Sequence, residues 1–164
     1  MKSVNPKIFP KKMSTFTLYD NVWSEAMEAK LMELIVSESD SKGNPKGLPK
    51  SCDFLVKVQE TLNAQFNMKE GVYFYISKID YLQTRYQAWV SLLHEQGVFW
   101  DDLSNTVRAS DETWRRIQET NSTQMLYRER GEPHYVALAK LFHEEVFKYL
   151  DYDESEPEFE SNSD

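Results

Sequence analysis

The chain has 164 residues, 40% hydrophobic and 13% aromatic, with 5 Gly, 6 Pro and one Cys. That composition supports one domain with tails and excludes a wholly disordered, collagen-like or disulfide-built protein. The net charge of −8 is unevenly placed: Met1–Lys12 carries four Lys and no acid, Asp151–Asp164 seven acids and no base, and Met13–Leu150 has 15 bases against 20 acids. A folded region of that sign is a poor generic polyanion binder.

Residues 1–19 read as a basic, flexible lead-in. No apolar core follows its lysines, so it does not read as a secretory signal. No run of roughly 18 apolar residues reads as a membrane span. The expectation is an intracellular protein. The first periodic segment is Trp23–Ser37, where Trp23, Met27, Leu31, Leu34 and Ile35 recur on one helical face. Ser24 is the candidate N-cap, with Glu25 and Glu28 in the first turn, where the helix dipole favours anions. The helix should stop before the loop SKGNPKGLPK. A second helix starts near Ser51 or Asp53 and carries Phe54, Leu55, Val58, Leu62 and Phe66 inward.

A third helix is expected over Ser77–Gln96, on the face Ile79, Leu82, Tyr86, Trp89, Leu92 and Leu93, ending at Gly97. The aromatic, β-branched run Tyr73–Ile76 is compatible with a local strand; the stretch Val72–Tyr75 has the composition to stack bases, but with so little positive charge around it a buried edge or a partner surface is the expectation. Phe99–Asp101 and Thr106–Arg108 should pair as a hairpin around Leu103, Ser104 and Asn105. Ser110 then caps a fourth helix with Trp114 and Ile117 inward. After a loop with Tyr127, Arg128 and Gly131, Pro133 opens a last helix with Val136, Leu138, Leu141, Phe142 and Val146 as its apolar positions. Trp23, Phe54, Leu62, Leu82 and Trp89 are expected in one buried cluster. Residues 150–164 read as an acidic disordered tail.

The ordered set VWSEAMEAKLMELI, LNAQF, DYLQTRYQAWVSLL, VFWDDLSNTVRASDETW and YRERGEPHYVALAKLF resembles the plant Myb/SANT-like domain associated with Harbinger-type transposons and the genes derived from them, over roughly Val22–Phe142. The resemblance implies an all-α fold: a three-helix Myb/SANT-like head plus a C-terminal helical extension with a short β-hairpin, over residues 20–149. It also implies a nuclear protein that binds DNA beside a partner transposase or serves as an adaptor in chromatin complexes. In the Myb architecture the third helix enters the major groove, and the matching segment is Ile76–Trp89. Here the sequence departs from the family. The basic run that usually opens that helix is matched by Ile76, Ser77 and Lys78, and the family's paired lysines by Gln83 and Thr84. Lys78 and Arg85 remain as DNA-contact candidates, with Asp80 between them. The family's Trp early in the second helix is matched by Phe54, a packing change.

Other chemistry is weakly signalled. His94, His134 and His143 lack ligand spacing, and Cys52 has no partner, so no metal or cofactor is expected. Asp101, Asp102, Asp111 and Glu112 read as turn and helix N-terminal acids rather than a hydrolytic set. With no phosphate loop or nucleophile signature, an enzyme is not expected. Lys42, Lys46, Lys50 and Lys57, with Arg115, Arg116, Arg128 and Arg130, are the other phosphate-contact candidates. Tyr81, Thr84 and Gln87 follow one uncharged stripe of the third helix, a composition suited to a protein interface. The function expected is a nuclear adaptor that docks a transposase-like protein or chromatin-complex subunit, with weak or shared DNA contact. The alternative is a direct, sequence-specific DNA-binding regulator.

Overall fold

A computed structural model of the chain describes residues 16–42, 48–49 and 51–142. The elements are α1 (Glu25–Ser41), α2 (Cys52–Phe66), α3 (Val72–Leu93), β1 (Phe99–Asp101), β2 (Thr106–Arg108), α4 (Asp111–Thr120) and a 3-10 helix at Ser122–Tyr127. Residues 135–142 are helical again. The fold is mostly helical with one small antiparallel hairpin, as the residue pattern implies. Residues 1–15, the acidic tail, Lys46, Lys50 and Val146 lie outside the described residues.

Local chemistry explains where each helix begins. Asp20 Oδ1 accepts the backbone N–H groups of Val22 and Trp23 at 2.9 and 2.8 Å, and Ser24 Oγ accepts that of Met27 at 3.2 Å, so the chain enters α1 capped. Of the two candidates for α2, Ser51 is the cap: its side chain accepts from Phe54 N at 3.2 Å. Asn67, in the left-handed region at φ 55°, ends α2. Ser110 Oγ caps α4 by accepting from Thr113 N at 3.1 Å.

Two expectations are corrected in α3. The aromatic run is helical: α3 starts at Val72, because Tyr75 is fully buried and extends the inward stripe of Ile79, Leu82 and Tyr86 by one more turn. Its hydroxyl donates to Asn63 Oδ1 on α2. At the other end α3 stops at Leu93 rather than Gln96. His94 N and Glu95 N bond to carbonyls three residues back, and Gly97 turns the chain at φ 87°. In the last helix Leu138, Leu141 and Phe142 are buried, but Val136, expected inward, is exposed.

The chain divides into two compact units, one of residues 1–30 and 84–133 and one of residues 31–83 and 134–164, with boundaries inside α1 and α3. The five residues expected in one cluster are all buried and divide between the units: Trp23 and Trp89 in the first, Phe54, Leu62 and Leu82 in the second. In the second, Leu31, Ile35, Val58, Ile79 and Leu138 are also buried, and Lys140 pairs with Asp40 at 2.8 Å. In the first, the ring of Trp89 meets Trp100 and Tyr127 edge-on, with centroids 5.4 and 4.8 Å apart. That seats the hairpin on α3.

Candidate nucleic-acid interface

The helix matched to the groove-entering helix of the Myb architecture is α3, so its side chains are the first place to look for phosphate contacts. Arg85 is not one of them. Its side chain is 0% exposed, as are those of Glu28 on α1 and Glu132 in the loop before the last helix. Arg85 Nη1 and Nη2 donate to Glu28 Oε1 and Oε2 at 2.9 and 2.8 Å, and Nε and Nη2 donate to Glu132 Oε1 and Oε2, both at 2.9 Å. These are two bidentate, charge-assisted forks. Tyr127 Oη donates to Glu132 Oε1 at 2.7 Å, and Tyr19 Oη donates to Glu28 Oε2 at 3.1 Å. Burial works to lower the pKa of Arg85, but the hydrogen bonds and charges of Glu28 and Glu132 outweigh it and raise the pKa. The Arg85 guanidinium is thus buried between two carboxylates, with all of its printed side-chain hydrogen bonds inside the fold.

Lys78 is buried likewise. It is 6% exposed, and its ammonium lies 5.5 Å from the centroid of the Tyr81 ring. With both bases inside, the exposed residues of α3 are Tyr73, Ser77, Asp80, Tyr81, Thr84 and Gln87, among which Asp80 is the one ionised group. Tyr81, Thr84 and Gln87 are thus all at the surface.

Among the described residues, four of the six other candidate bases are paired. Lys42 pairs with Glu38 along α1, Arg116 with Glu95 at 3.3 Å, Arg128 with Asp111 at 3.3 Å and Arg130 with Glu25 at 3.7 Å. Such exposed pairs add little stability, but each lowers the local positive potential. Lys57 and Arg115 are exposed, with no ion pair among the described residues.

Glu132 reaches Arg85 because a turn of the hairpin grips its loop. Asn105, at φ 51°, accepts the N–H of Gly131 on its carbonyl at 2.8 Å and donates Nδ2 to the Glu132 carbonyl at 2.9 Å. Its Oδ1 accepts the indole N–H of Trp100 at 2.9 Å. A Cβ on Gly131 would lie 2.0 Å from that same Oδ1 and 3.0 Å from Trp89, so only glycine fits. Sequence reasoning missed Glu28, Glu132, Tyr127 and Asn105.

Three of the acids considered for hydrolysis, Asp101, Asp111 and Glu112, sit in turn or helix-start positions. Asp101 accepts from Leu103 N and Ser104 Oγ at 3.1 and 2.9 Å; the Ser104 bond first, then the Leu103 bond, hold its pKa below the usual carboxylate value. Asp111 and Glu112 occupy the first turn of α4. Among the described residues no group of His, Cys, Asp or Glu could hold a metal, and no helix is long and apolar enough to cross a membrane.

The family model of the Myb/SANT-like DNA-binding domain matches residues 22–117. The chain belongs to this family. The family is one of DNA-binding domains. The Myb/SANT-like match takes in α1, α2, α3, the hairpin and most of α4, and it stops short of Tyr127 and Glu132, which complete the buried charge cluster. No curated protein and no solved structure matched the Myb/SANT-like chain.

Proposed function

We propose that this Myb/SANT-like domain is a nuclear adaptor that docks a protein partner at chromatin, with DNA contact weak or shared. The partner class is a transposase-like protein or a chromatin-complex subunit, and a Harbinger-type, transposon-derived origin belongs to the same reading. One observation carries it: the exposed residues of α3 include Asp80 and no Lys or Arg, while Lys78 and Arg85 are buried. Each phosphate neutralised by a protein releases about one counterion and adds to affinity; this helix offers no charge for that exchange. Its exposed tyrosines suit a protein surface, since interfaces are enriched in Tyr and depleted in Lys. Tyr81, Thr84 and Gln87 are the docking candidates. DNA contact, where it occurs, falls to bases off α3, with Lys57, Lys46 and Lys50 the candidates. An enzymatic role has no support in these groups.

The test is a salt titration of the full chain on random and selected duplex DNA. The expected dissociation constant is no tighter than about micromolar at physiological salt, the non-specific range, with Tyr81→Glu abolishing protein capture from nuclease-treated extract. Nanomolar, sequence-dependent DNA binding with capture unaffected by Tyr81→Glu replaces the adaptor reading with direct DNA recognition.

A further inference from the structure

The hairpin shows two large apolar side chains to solvent. Phe99 is 75% exposed and Leu103 95%. The register pairs Phe99 with Arg108, Trp100 with Val107 and Asp101 with Thr106. Because side chains alternate across a strand, Trp100 and Val107 share the face that meets Trp89, and Phe99 and Asp101 share the outer one. Turn chemistry accounts for the residues around Leu103: Asp101 accepts the Leu103 N–H and the Ser104 hydroxyl, and Asn105 takes the left-handed position. Nothing in that turn uses the Leu103 side chain.

The hairpin is also tied to the loop beside it. Trp100 bonds Asn105, Asn105 bonds the Gly131–Glu132 backbone, and Glu132 is fixed by the buried Arg85. Exposed apolar side chains on a pre-ordered element lose little conformational freedom when they are buried by a partner, which is what an interface anchor needs. The charge around them has a sign. Arg108, opposite Phe99 in the register, lies 4.0 Å from Asp101, so the hairpin keeps one net negative charge, on Asp102 next to Leu103, which is exposed and has no ion pair among the described residues.

We infer that this hairpin is a second docking element of the domain, with Leu103 and Phe99 as apolar anchors and Asp102 as the charge, for a protein segment whose apolar notch is bordered by Lys or Arg. It rests on the reading of the domain as a protein-docking module but uses residues apart from Tyr81. Nucleic acid is disfavoured as the occupant, because Asp101, Asp102 and Arg108 together set one net negative charge against its phosphates.

The experiment places the photocrosslinking amino acid p-benzoylphenylalanine at position 103 of the full chain, with position 119 as the control. The crosslinked segment is identified from nuclease-treated cell extract by mass spectrometry, synthesised as a peptide and titrated. The expected segment is apolar with adjacent Lys or Arg. Leu103→Ser and Phe99→Ser should each weaken the peptide about tenfold or more, as for interface anchors, and Asp102→Asn should flatten the salt dependence. Both serine variants sit at exposed positions and should keep the wild-type circular dichroism spectrum and melt. Crosslinks no stronger than at position 119, crosslinks to nucleic acid alone when nuclease is omitted, or a peptide indifferent to Leu103→Ser and Asp102→Asn overturns the inference. Tyr81→Glu is run in parallel. Partner capture lost there but kept in the hairpin variants removes the hairpin and keeps the docking reading; capture indifferent to all of them removes both.

Discussion

Replacing Arg85 separates a structural arginine from a phosphate-contacting one. Arg85→Met keeps much of the aliphatic stem and removes the guanidinium, leaving Glu28 and Glu132, each fully buried, facing a site with no cation. Tyr19 and Tyr127 still donate one hydroxyl to each, but a neutral donor does not balance a buried charge. Orphaning one buried charge typically costs about 3–5 kcal/mol. Two carboxylates are orphaned here, so the loss should lie at or above the top of that range, against a total stability of about 5–15 kcal/mol for a domain. A surface arginine would change stability by only about 0.5 kcal/mol either way. Urea unfolding at neutral pH, followed by tryptophan fluorescence, reads the difference directly. The companion variant Arg85→Met with Glu28→Leu and Glu132→Leu removes all three charges and should recover much of the loss, since apolar replacement of a buried ionic cluster is often neutral or stabilising. An Arg85→Met midpoint matching wild type would refute the burial argument and return Arg85 to the surface.

Two further predictions concern the same unit. Gly131→Ala pushes a methyl into Asn105 Oδ1 and Trp89; it should destabilise by about 1–3 kcal/mol, the usual range for overpacking, and shift the near-ultraviolet dichroism of Trp89 and Trp100, whereas a wild-type spectrum and melt would show that the clasp yields. The pKa of Tyr19 is raised above its ordinary 10.0 by burial first and then by the charge and hydrogen bond of Glu28. Below pH 10 both the folded and unfolded chains keep that proton and the group adds no pH dependence; above it the unfolded chain releases the proton first, so stability falls as pH rises. Tyr19→Phe should therefore make the alkaline decline in the urea midpoint shallower, and an unchanged slope counts against the Tyr19–Glu28 bond.

Much of the fold was legible in the residues. The helical stripes of α1 and α4, the caps Ser24 and Ser110, and the hairpin register follow from spacing and turn chemistry that act over a few residues. The start of α3 was not, because aromatic and β-branched side chains suit a strand as well as a buried helix, and the burial of Tyr75, with its hydroxyl on Asn63, is a tertiary contact that no local pattern shows. The burial of Arg85 and Lys78 does have a signal in the sequence. Tyr75, Lys78, Ile79, Leu82, Arg85, Tyr86 and Trp89 share one helical stripe, and Glu28 stands on the inward stripe of α1 with Leu31 and Ile35. Opposite charges on two apolar stripes mark an internal ion pair. Glu132 carried no such mark: it lies in a loop, where no period applies, and its place depends on Asn105 gripping the backbone beside it.

The sequence distances within the charge cluster set a schedule for how the domain comes into being. Arg85 is 57 residues from Glu28 and 47 from Glu132. A guanidinium gives up its water only when carboxylates replace it. On a chain synthesised from its N-terminus, Glu28 is available when Arg85 emerges, but Glu132 follows only after the hairpin, α4 and the 3-10 turn have been made. Until then Arg85 has only one of its two carboxylates within reach. Contacts this far apart in the chain form late and are slow to gather. The guanidinium therefore has its full set of partners only once the loop at Gly131 is in place, which makes the last-made segment of the first unit the one that completes its core.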